Sequence, residues 1–119
     1  MSHTDPTFSR SSLATLAIEI WRACREAERL KENAIGLRYA LRKIRSTLEE
    51  SGITYIDAAG QPYDPGMAFD VIDIEGETTE GVHLFIKETM APIILLDGVL
   101  LSWGEVVLER RQAPQPTNS

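Results

Sequence analysis

The sequence has one cysteine and no long apolar run, and each shortage excludes a class of protein. Cys24 alone cannot form an internal disulfide, which favours a reducing compartment. The longest apolar run, residues 93–96, is far shorter than the roughly 20 residues that span a bilayer. Residues 1–6 also lack the basic and apolar regions of a secretory signal. We therefore expect a cytoplasmic protein with no membrane partner.

Side chains suited to catalysis or metal binding are also scarce. His83 alternates with apolar neighbours in a predicted strand, and Cys24 lies inside a predicted helix, where it serves as a small apolar filler. The acids between residues 57 and 80 do not follow a calcium-loop pattern, and Gly76 and Gly81 lack the Lys-Ser/Thr of a phosphate loop. We therefore expect no enzymatic activity, no metal and no cofactor. An enzyme would require a metal or a deep pocket that includes His83 or these acids.

Basic residues are few in the second part of the chain. The 119 residues carry a net charge of −6. Residues 11–51 hold eight Lys/Arg against six Glu, whereas residues 52–119 hold three Lys/Arg against eleven acids. Because an acidic surface repels phosphate backbones, we expect no nucleic-acid partner.

The most informative pattern that is present is a heptad repeat. Ser11 and Ser12 supply helix-capping hydroxyls, and no proline interrupts residues 13–48. Apolar residues recur every seven positions in a first series: Leu13, Ile20, Ala27, Ala34, Leu41 and Leu48. A second series follows three positions later: Leu16, Ala23, Leu30, Leu37 and Ile44. Together the two series predict a coiled-coil or helical-bundle helix about 60 Å long.

A stripe of this length cannot be covered by the remaining small domain, so most of it must meet another helix. That helix is either a second copy or the folded-back half of the same one, with Asn33 to Gly36 as the weak point for a bend. The breadth of the apolar face favours a four-helix arrangement. The alternative is a helix that packs only on its own domain. We expect dimerisation through eight residues of the two series: Leu13, Leu16, Ile20, Leu30, Leu37, Leu41, Ile44 and Leu48.

Short strands separated by turns follow the helix, whose end is marked by Gly52. The strands are expected near residues 53–56, 71–74, 82–86, 92–96, 99–101 and 105–108. Asp97-Gly98 is a strong hairpin signal. The predicted fold is α+β, with a long N-terminal helix followed by a small antiparallel β-domain. Its expected parts are a disordered tail (1–10), a helical dimerisation region (11–51), the β-domain (52–110) and a second disordered tail (111–119).

Several apolar residues lie at predicted turns or strand ends, where a small domain has difficulty in covering them: Met67, Phe69, Met90 and Trp103. Trp103 is the strongest candidate for a binding anchor, because tryptophan is enriched among the residues that dominate protein interfaces. The alternative is that Trp103 closes the small core.

The order of these elements resembles GrpE, the nucleotide exchange factor of DnaK-type chaperones. Residues 35–65 match the family's helix, which has a glycine near its start, a leucine-rich face and a glycine directly after its last turn. Residues 60–65 (GQPYDP) match its Gly-x-x-Phe-Asp-Pro turn, with Tyr63 in place of Phe. Residues 93–108 match its final hairpin and last strand, with LDGVL at the turn. The resemblance covers roughly two-thirds of the chain.

The resemblance implies a homodimer joined by helices, whose β-domains bind the ATPase domain of a DnaK-type chaperone and promote ADP release. We expect partner-binding residues in the turn and the final hairpin: Asp64, Pro65, Met67, Phe69, Gly98, Ser102 and Trp103. The chain departs from the family at residues 102–104 (SWG), which replace an Arg-containing stretch that contacts the ATPase. The alternative is a dimeric non-catalytic adaptor that keeps the scaffold and binds another protein.

Overall fold

The chain folds into two helices and six strands. The computed structural model describes residues 9–30, 34–78 and 81–112. In chain order the elements are α1 (Arg10–Arg29), α2 (Ile35–Glu50), β1 (Ile53–Ile56), β2 (Phe69–Glu75), β3 (Val82–Ala91), β4 (Ile93–Leu96), β5 (Val99–Ser102) and β6 (Gly104–Gln112). The protein is therefore α+β, and each predicted strand has a counterpart.

The prediction of one long N-terminal helix is wrong. α1 ends at Arg29, and its C-cap residue Leu30 has an extended backbone (φ −69°, ψ 124°), which turns the chain away from the helix axis. α2 begins only after Ala34. Of the predicted weak point, Asn33 lies outside the described residues and Gly36 lies inside α2. The physical reason for the fold-back is that two shorter helices satisfy part of the heptad pattern with contacts inside one chain, which a straight helix cannot do.

The first helix begins earlier than the capping signal predicts. Its N-cap is Ser9, whose hydroxyl accepts a 3.1 Å hydrogen bond from the N–H of Ser12. Arg10, placed in the tail by the sequence pattern, is thus the first residue of α1, and residues 111–112 belong to β6. The other residues of the predicted tails, 1–8 and 113–119, lie outside the described residues.

The chain divides into two compact units, each built from two separate segments. The helical unit contains the described residues up to Tyr55 together with Ile94–Ser102. The sheet unit contains Ile56–Ile93 and the described residues from Trp103 onward. Most of β1, most of β4 and all of β5 therefore belong with the helices.

In the helical unit, α1 packs on α2 and on β5. The core joins Ala17 of α1, Leu48 of α2, Ile53 of β1 and Ile94 of β4, each at most 9% exposed. The strands form a sheet in the order β1-β4-β5. Gly52 follows α2 with a φ of +103°, the left-handed conformation that the sequence predicts for a glycine at the end of this helix.

In the sheet unit, the strands lie in the order β2-β6-β3. β3 runs antiparallel to β6, but β2 runs parallel to it, so the prediction of a fully antiparallel β-domain is wrong for this pair. The chain between β2 and β6 contains three other strands, which supplies the long connection that parallel pairing requires. The core of this unit includes Phe69, Ile86, Val106 and Leu108, each at most 4% exposed.

Candidate functional site

The two heptad series, which the sequence predicts to form one continuous apolar stripe, differ in burial in the structure. Every residue of the first series is buried or half-buried. In the second series Ala23 is half-buried, and the larger side chains are 38% to 50% exposed. Four predicted dimerisation residues therefore pack inside the chain: Leu13, Ile20, Leu41 and Leu48. The other four are exposed and form what we call the exposed heptad series: Leu16, Leu30, Leu37 and Ile44.

The three members of the exposed heptad series that lie inside helices, Leu16, Leu37 and Ile44, turn to one side of the helix pair; Leu30 is the C-cap of α1 and follows it. The helices are antiparallel, because Arg38 near the start of α2 contacts Ala27 near the end of α1, whereas Leu48 near the end of α2 packs with Ala17. On each helix the second series follows the first by the same three positions. When the first series faces the neighbouring helix in an antiparallel pair, both second-series stripes turn to the same side. The result is one apolar surface that spans α1 and α2.

A cleft of about 200 Å³ lies between the two helices and is lined in part by Cys24, Ala27 and Leu41. Burial raises the pKa of the Cys24 thiol, and the guanidinium of Arg45 lowers it by a smaller amount. The thiol is therefore protonated near neutral pH, where a reactive cysteine would be a thiolate. An unreactive thiol at this place agrees with the predicted role of Cys24 as an apolar filler.

The β4–β5 hairpin presents an apolar tip in the helical unit. Asp97 (φ 51°) and Gly98 (φ 81°) form the tight turn that the sequence predicts. The N–H of Asp97 donates a 2.9 Å hydrogen bond to the carbonyl oxygen of Gly52, which fixes the turn against the end of α2. Val99 and Leu100, the next two residues, are 59% and 39% exposed. Sequence reasoning named Gly98 and missed these neighbours, although both lie in an apolar strand directly after a tight turn.

In the sheet unit, the turn with the sequence GQPYDP is held against β3 by backbone hydrogen bonds. The N–H of Gly60 donates to the carbonyl oxygen of Ile86 at 2.7 Å, and the N–H of Ile86 donates to the carbonyl oxygen of Gln61 at 2.9 Å. The N–H of Tyr63 donates to the carbonyl oxygen of Leu84, also at 2.9 Å. The turn is therefore an ordered extension of the sheet.

Asp64 shapes the residues that follow this turn. Its carboxylate accepts a 2.8 Å hydrogen bond from the N–H of Gly66, and its carbonyl oxygen accepts a 2.9 Å hydrogen bond from the N–H of Met67. Asp64 and Pro65 are exposed, and Met67 is half-buried. These three predicted partner-binding residues thus occupy a defined surface turn.

Phe69 is not the exposed side chain that the sequence predicts. It is 4% exposed, and its ring lies where a Cβ atom on Gly104 would come within 2.5 Å. The absence of a side chain at Gly104 therefore leaves the space that the ring fills. Trp103, one residue earlier, is 50% exposed. This exposure favours the anchor interpretation of Trp103 over its alternative, a residue that closes the core.

The predicted partner-binding residues do not lie within one unit. Gly98 and Ser102 belong to the helical unit. The other five belong to the sheet unit: Asp64, Pro65, Met67, Phe69 and Trp103. With Phe69 assigned to the core, each unit retains its own candidate surface: the hairpin tip in the helical unit, and the turn at residues 64–67 with Trp103 in the sheet unit.

The described part of the chain contains no group of three or more side chains placed to hold a metal ion. His83 is exposed on β3. None of the described helices is long and apolar enough to cross a membrane.

No protein-family model matches this chain, and no curated protein matches it. Function must therefore be inferred from the fold and from the surfaces described above.

Proposed function

We propose that this chain is a GrpE-like co-chaperone that binds the ATPase domain of a DnaK-type chaperone and promotes ADP release. The supporting observation is the order of its elements: a helix pair, the GQPYDP turn fixed on β3, a tight hairpin at Asp97-Gly98 and a final strand. Two of the motifs that carry the resemblance, the GQPYDP turn and the Asp97-Gly98 hairpin, are turns with a defined backbone conformation. Their residues therefore have a structural task in this chain, which supports a shared scaffold.

The co-chaperone acts as a homodimer joined by its helices. The exposed heptad series supports this part of the proposal, because three of its four large apolar side chains, Leu16, Leu37 and Ile44, lie on one side of the helix pair and all four are exposed. A second copy covers them with the same surface, as two-fold symmetry requires, and the two helix pairs then form a four-helix arrangement. The helix pair thus takes the place of the long helix that the sequence predicts.

Exchange activity of this kind needs no catalytic residue. A partner that binds the open form of an ATPase more tightly than the closed form weakens nucleotide binding by the same factor. The side chains proposed to grip the ATPase are the exposed members of the predicted set, with Trp103 as the principal anchor. Val99 and Leu100 extend the apolar surface next to Gly98.

A second candidate function is that of a dimeric adaptor that binds a different protein. It is favoured by the sequence SWG at residues 102–104, where the family has an arginine that contacts the ATPase. A half-exposed indole prefers an apolar pocket on its partner, whereas an arginine prefers a carboxylate. The adaptor would keep the scaffold and exchange one partner for another.

The decisive experiment measures release of fluorescently labelled ADP from the DnaK-type ATPase encoded in the same genome. The unmutated protein should accelerate release, and Trp103→Ala should remove most of the acceleration. His83→Ala, which changes an exposed side chain of β3 outside the proposed surface, is the matched control and should leave the rate unchanged. If no cognate DnaK-type ATPase releases ADP faster, the exchange activity is rejected. A stable complex with a different purified protein would then support the adaptor.

A further inference from the structure

The cleft between the two helices combines an apolar floor with two opposite charges that the chain leaves unpaired. Six residues line its volume of about 200 Å³: Cys24, Ala27 and Glu28 on α1, and Arg38, Leu41 and Arg42 on α2. All six belong to the helical unit, and none belongs to the exposed heptad series. The cleft is therefore a separate feature from the surface proposed for dimerisation.

The floor of the cleft is apolar and small. Cys24 and Ala27 are 7% and 3% exposed, and Leu41 is half-buried. The protonated thiol of Cys24 behaves as a small apolar group. An apolar cavity of about 150 Å³ accepts benzene, whereas drug-sized ligands need about 300–1,000 Å³. The cleft thus has room for one small apolar group, such as a branched aliphatic side chain.

Arg42 brings unused hydrogen-bond donors to the rim of the cleft. Its Nε donates a 3.4 Å hydrogen bond to the carbonyl oxygen of Arg38, and its two Nη atoms have no partner among the described residues. Arg38 lies one turn earlier on the same face of α2, where its hydrogen bonds to the carbonyl oxygens of Ala27 and Leu30 fix its position. A carboxylate at this rim would accept a fork of hydrogen bonds from Arg42 and be attracted by the charge of Arg38.

Glu28 brings the opposite charge from α1. It is exposed, and in the described part of the chain its carboxylate has neither an ion pair nor a hydrogen bond. Three other glutamates of the helices do pair with a nearby arginine: Glu19, Glu26 and Glu49. Glu28 and Arg42 therefore line the same cleft without neutralising each other.

The charges of Glu28 and Arg42 both act at the floor. Burial is the largest cause that raises the pKa of Cys24. The charge of Arg45 lowers this pKa, that of Glu28 raises it, and that of Arg42 lowers it. One small molecule lying on Cys24 is thus close to an anion of one helix and a cation of the other.

We propose that the cleft binds a free α-amino acid with an apolar side chain, with leucine as the model ligand. The carboxylate pairs with Arg42, the ammonium group pairs with Glu28, and the side chain lies on the apolar floor. Charge complementarity favours this occupant over simpler ones. A hydrocarbon would desolvate both charges without pairing them, and a carboxylic acid would place a like charge beside Glu28. This proposal does not rest on the co-chaperone function.

The test is an NMR titration of the full chain with leucine. Backbone amide shifts should concentrate at the six lining residues and fit a dissociation constant on the order of 1 mM, since few ligand atoms make contact. Two analogues each lack one charge: 4-methylpentanoate has no ammonium group, and 3-methylbutylamine has no carboxylate. Both should bind about tenfold more weakly than leucine. Glycine, which lacks the side chain, should also bind more weakly than leucine.

Two variants test the assigned charges. Arg42→Gln should weaken leucine binding about tenfold. Glu28→Gln should weaken leucine binding by a similar factor but should not weaken binding of 4-methylpentanoate, which has no ammonium group to lose. Lys43→Gln and Glu50→Gln, which remove exposed charges of α2 outside the cleft, are the matched controls and should bind leucine like the unmutated protein. Circular dichroism checks that each variant keeps its helices.

Two outcomes would overturn the proposal. The first is leucine that shifts no lining amide, or that binds no more tightly than both analogues, in the unmutated protein. The second is equal leucine affinity in Arg42→Gln and Lys43→Gln. Failure to accelerate ADP release, with leucine binding intact, would reject the co-chaperone proposal and leave this one standing.

Discussion

Arg38 donates a 2.7 Å hydrogen bond from Nη2 to the carbonyl oxygen of Leu30, the residue that caps the C-terminal end of α1. Its Nε donates a second hydrogen bond, at 3.2 Å, to the carbonyl oxygen of Ala27. The carbonyl oxygen of Ala27 also accepts a 3.3 Å hydrogen bond from the N–H of Leu30, and Arg38 of α2 adds two further donors at the end of α1, where carbonyls lack their usual helical partners. Arg38 therefore joins the start of α2 to the end of α1.

Arg38→Ala should lower the free energy of unfolding by about 1–2 kcal/mol, because it removes two hydrogen bonds from a charged donor. The free energy of unfolding of Arg38→Lys should lie between those of the unmutated protein and Arg38→Ala. An ammonium group keeps the charge but cannot reproduce the forked geometry of guanidinium. Urea unfolding followed by circular dichroism measures both. Lys43→Ala, an exposed cation on the same helix, is the control and should change stability by less than about 0.5 kcal/mol.

The two heptad series should respond differently to a buried charge. Leu48→Asp places a carboxylate in the core of the helical unit and should destabilise the protein by about 4 kcal/mol. Leu37→Asp changes a side chain that is 50% exposed, and should dissociate the proposed dimer while the monomer keeps its helical content. Sedimentation velocity and circular dichroism together separate the two outcomes.

Tyr39→Asp is the matched control for the proposed dimer, because Tyr39 is 64% exposed on α2 but does not belong to either series. It should leave the sedimentation coefficient unchanged. An unmutated protein that sediments as a monomer at all concentrations would contradict the proposed dimer, whatever the variants do.

Two glycines should give opposite results when replaced by alanine. In Gly104→Ala, the new Cβ would meet the Phe69 ring at 2.5 Å and the carbonyl oxygen of Ala91 at 2.7 Å, which should cost about 1–3 kcal/mol. Gly36 lies in α2, where a new methyl group would have open space within 4 Å, so Gly36→Ala should stabilise by about 0.5–1 kcal/mol. Thermal unfolding of both variants provides the comparison. Equal stability of the two would contradict the packing described for Phe69.

The two tryptophans should separate stability from binding. Trp21 is 6% exposed in α1, and Trp21→Ala should cost about 3–5 kcal/mol of stability. Trp103 is 50% exposed, and Trp103→Ala should cost less than about 1 kcal/mol while it weakens partner binding. Denaturant titration and a binding assay with the purified partner check the pair. A large loss of stability in Trp103→Ala would assign Trp103 to the core instead.

The strands were predictable because their signals are local. Gly52 and Asp97-Gly98 have the positive φ angles that their sequences indicate, and the apolar segments between such turns became strands. The helix break was harder to place, because a heptad pattern is satisfied equally by one long helix and by two antiparallel helices. Arg38, eight residues beyond the cap of α1, donates hydrogen bonds to the end of that helix, and no local signal marks this contact.

The candidate surfaces were predictable only in part, for the same reason. Exposure of Trp103 followed from its place at a strand end, but burial of Phe69 depends on Gly104, 35 residues later in the chain. The acids on β2 were visible in the sequence, but no local pattern indicated which residues of other strands lie opposite them. Their alignment with Glu105 and Glu109 arises from parallel pairing with β6, which no local pattern reveals.

The division into two units, each assembled from separate segments, has a consequence for dissecting this protein. The chain passes from one unit to the other three times, after Tyr55, after Ile93 and after Ser102. A gene truncated after Tyr55 would encode both helices without Ile94, a member of their core. Neither half can therefore be transplanted into a fusion protein as one uninterrupted stretch, as is done with modules joined by a single linker.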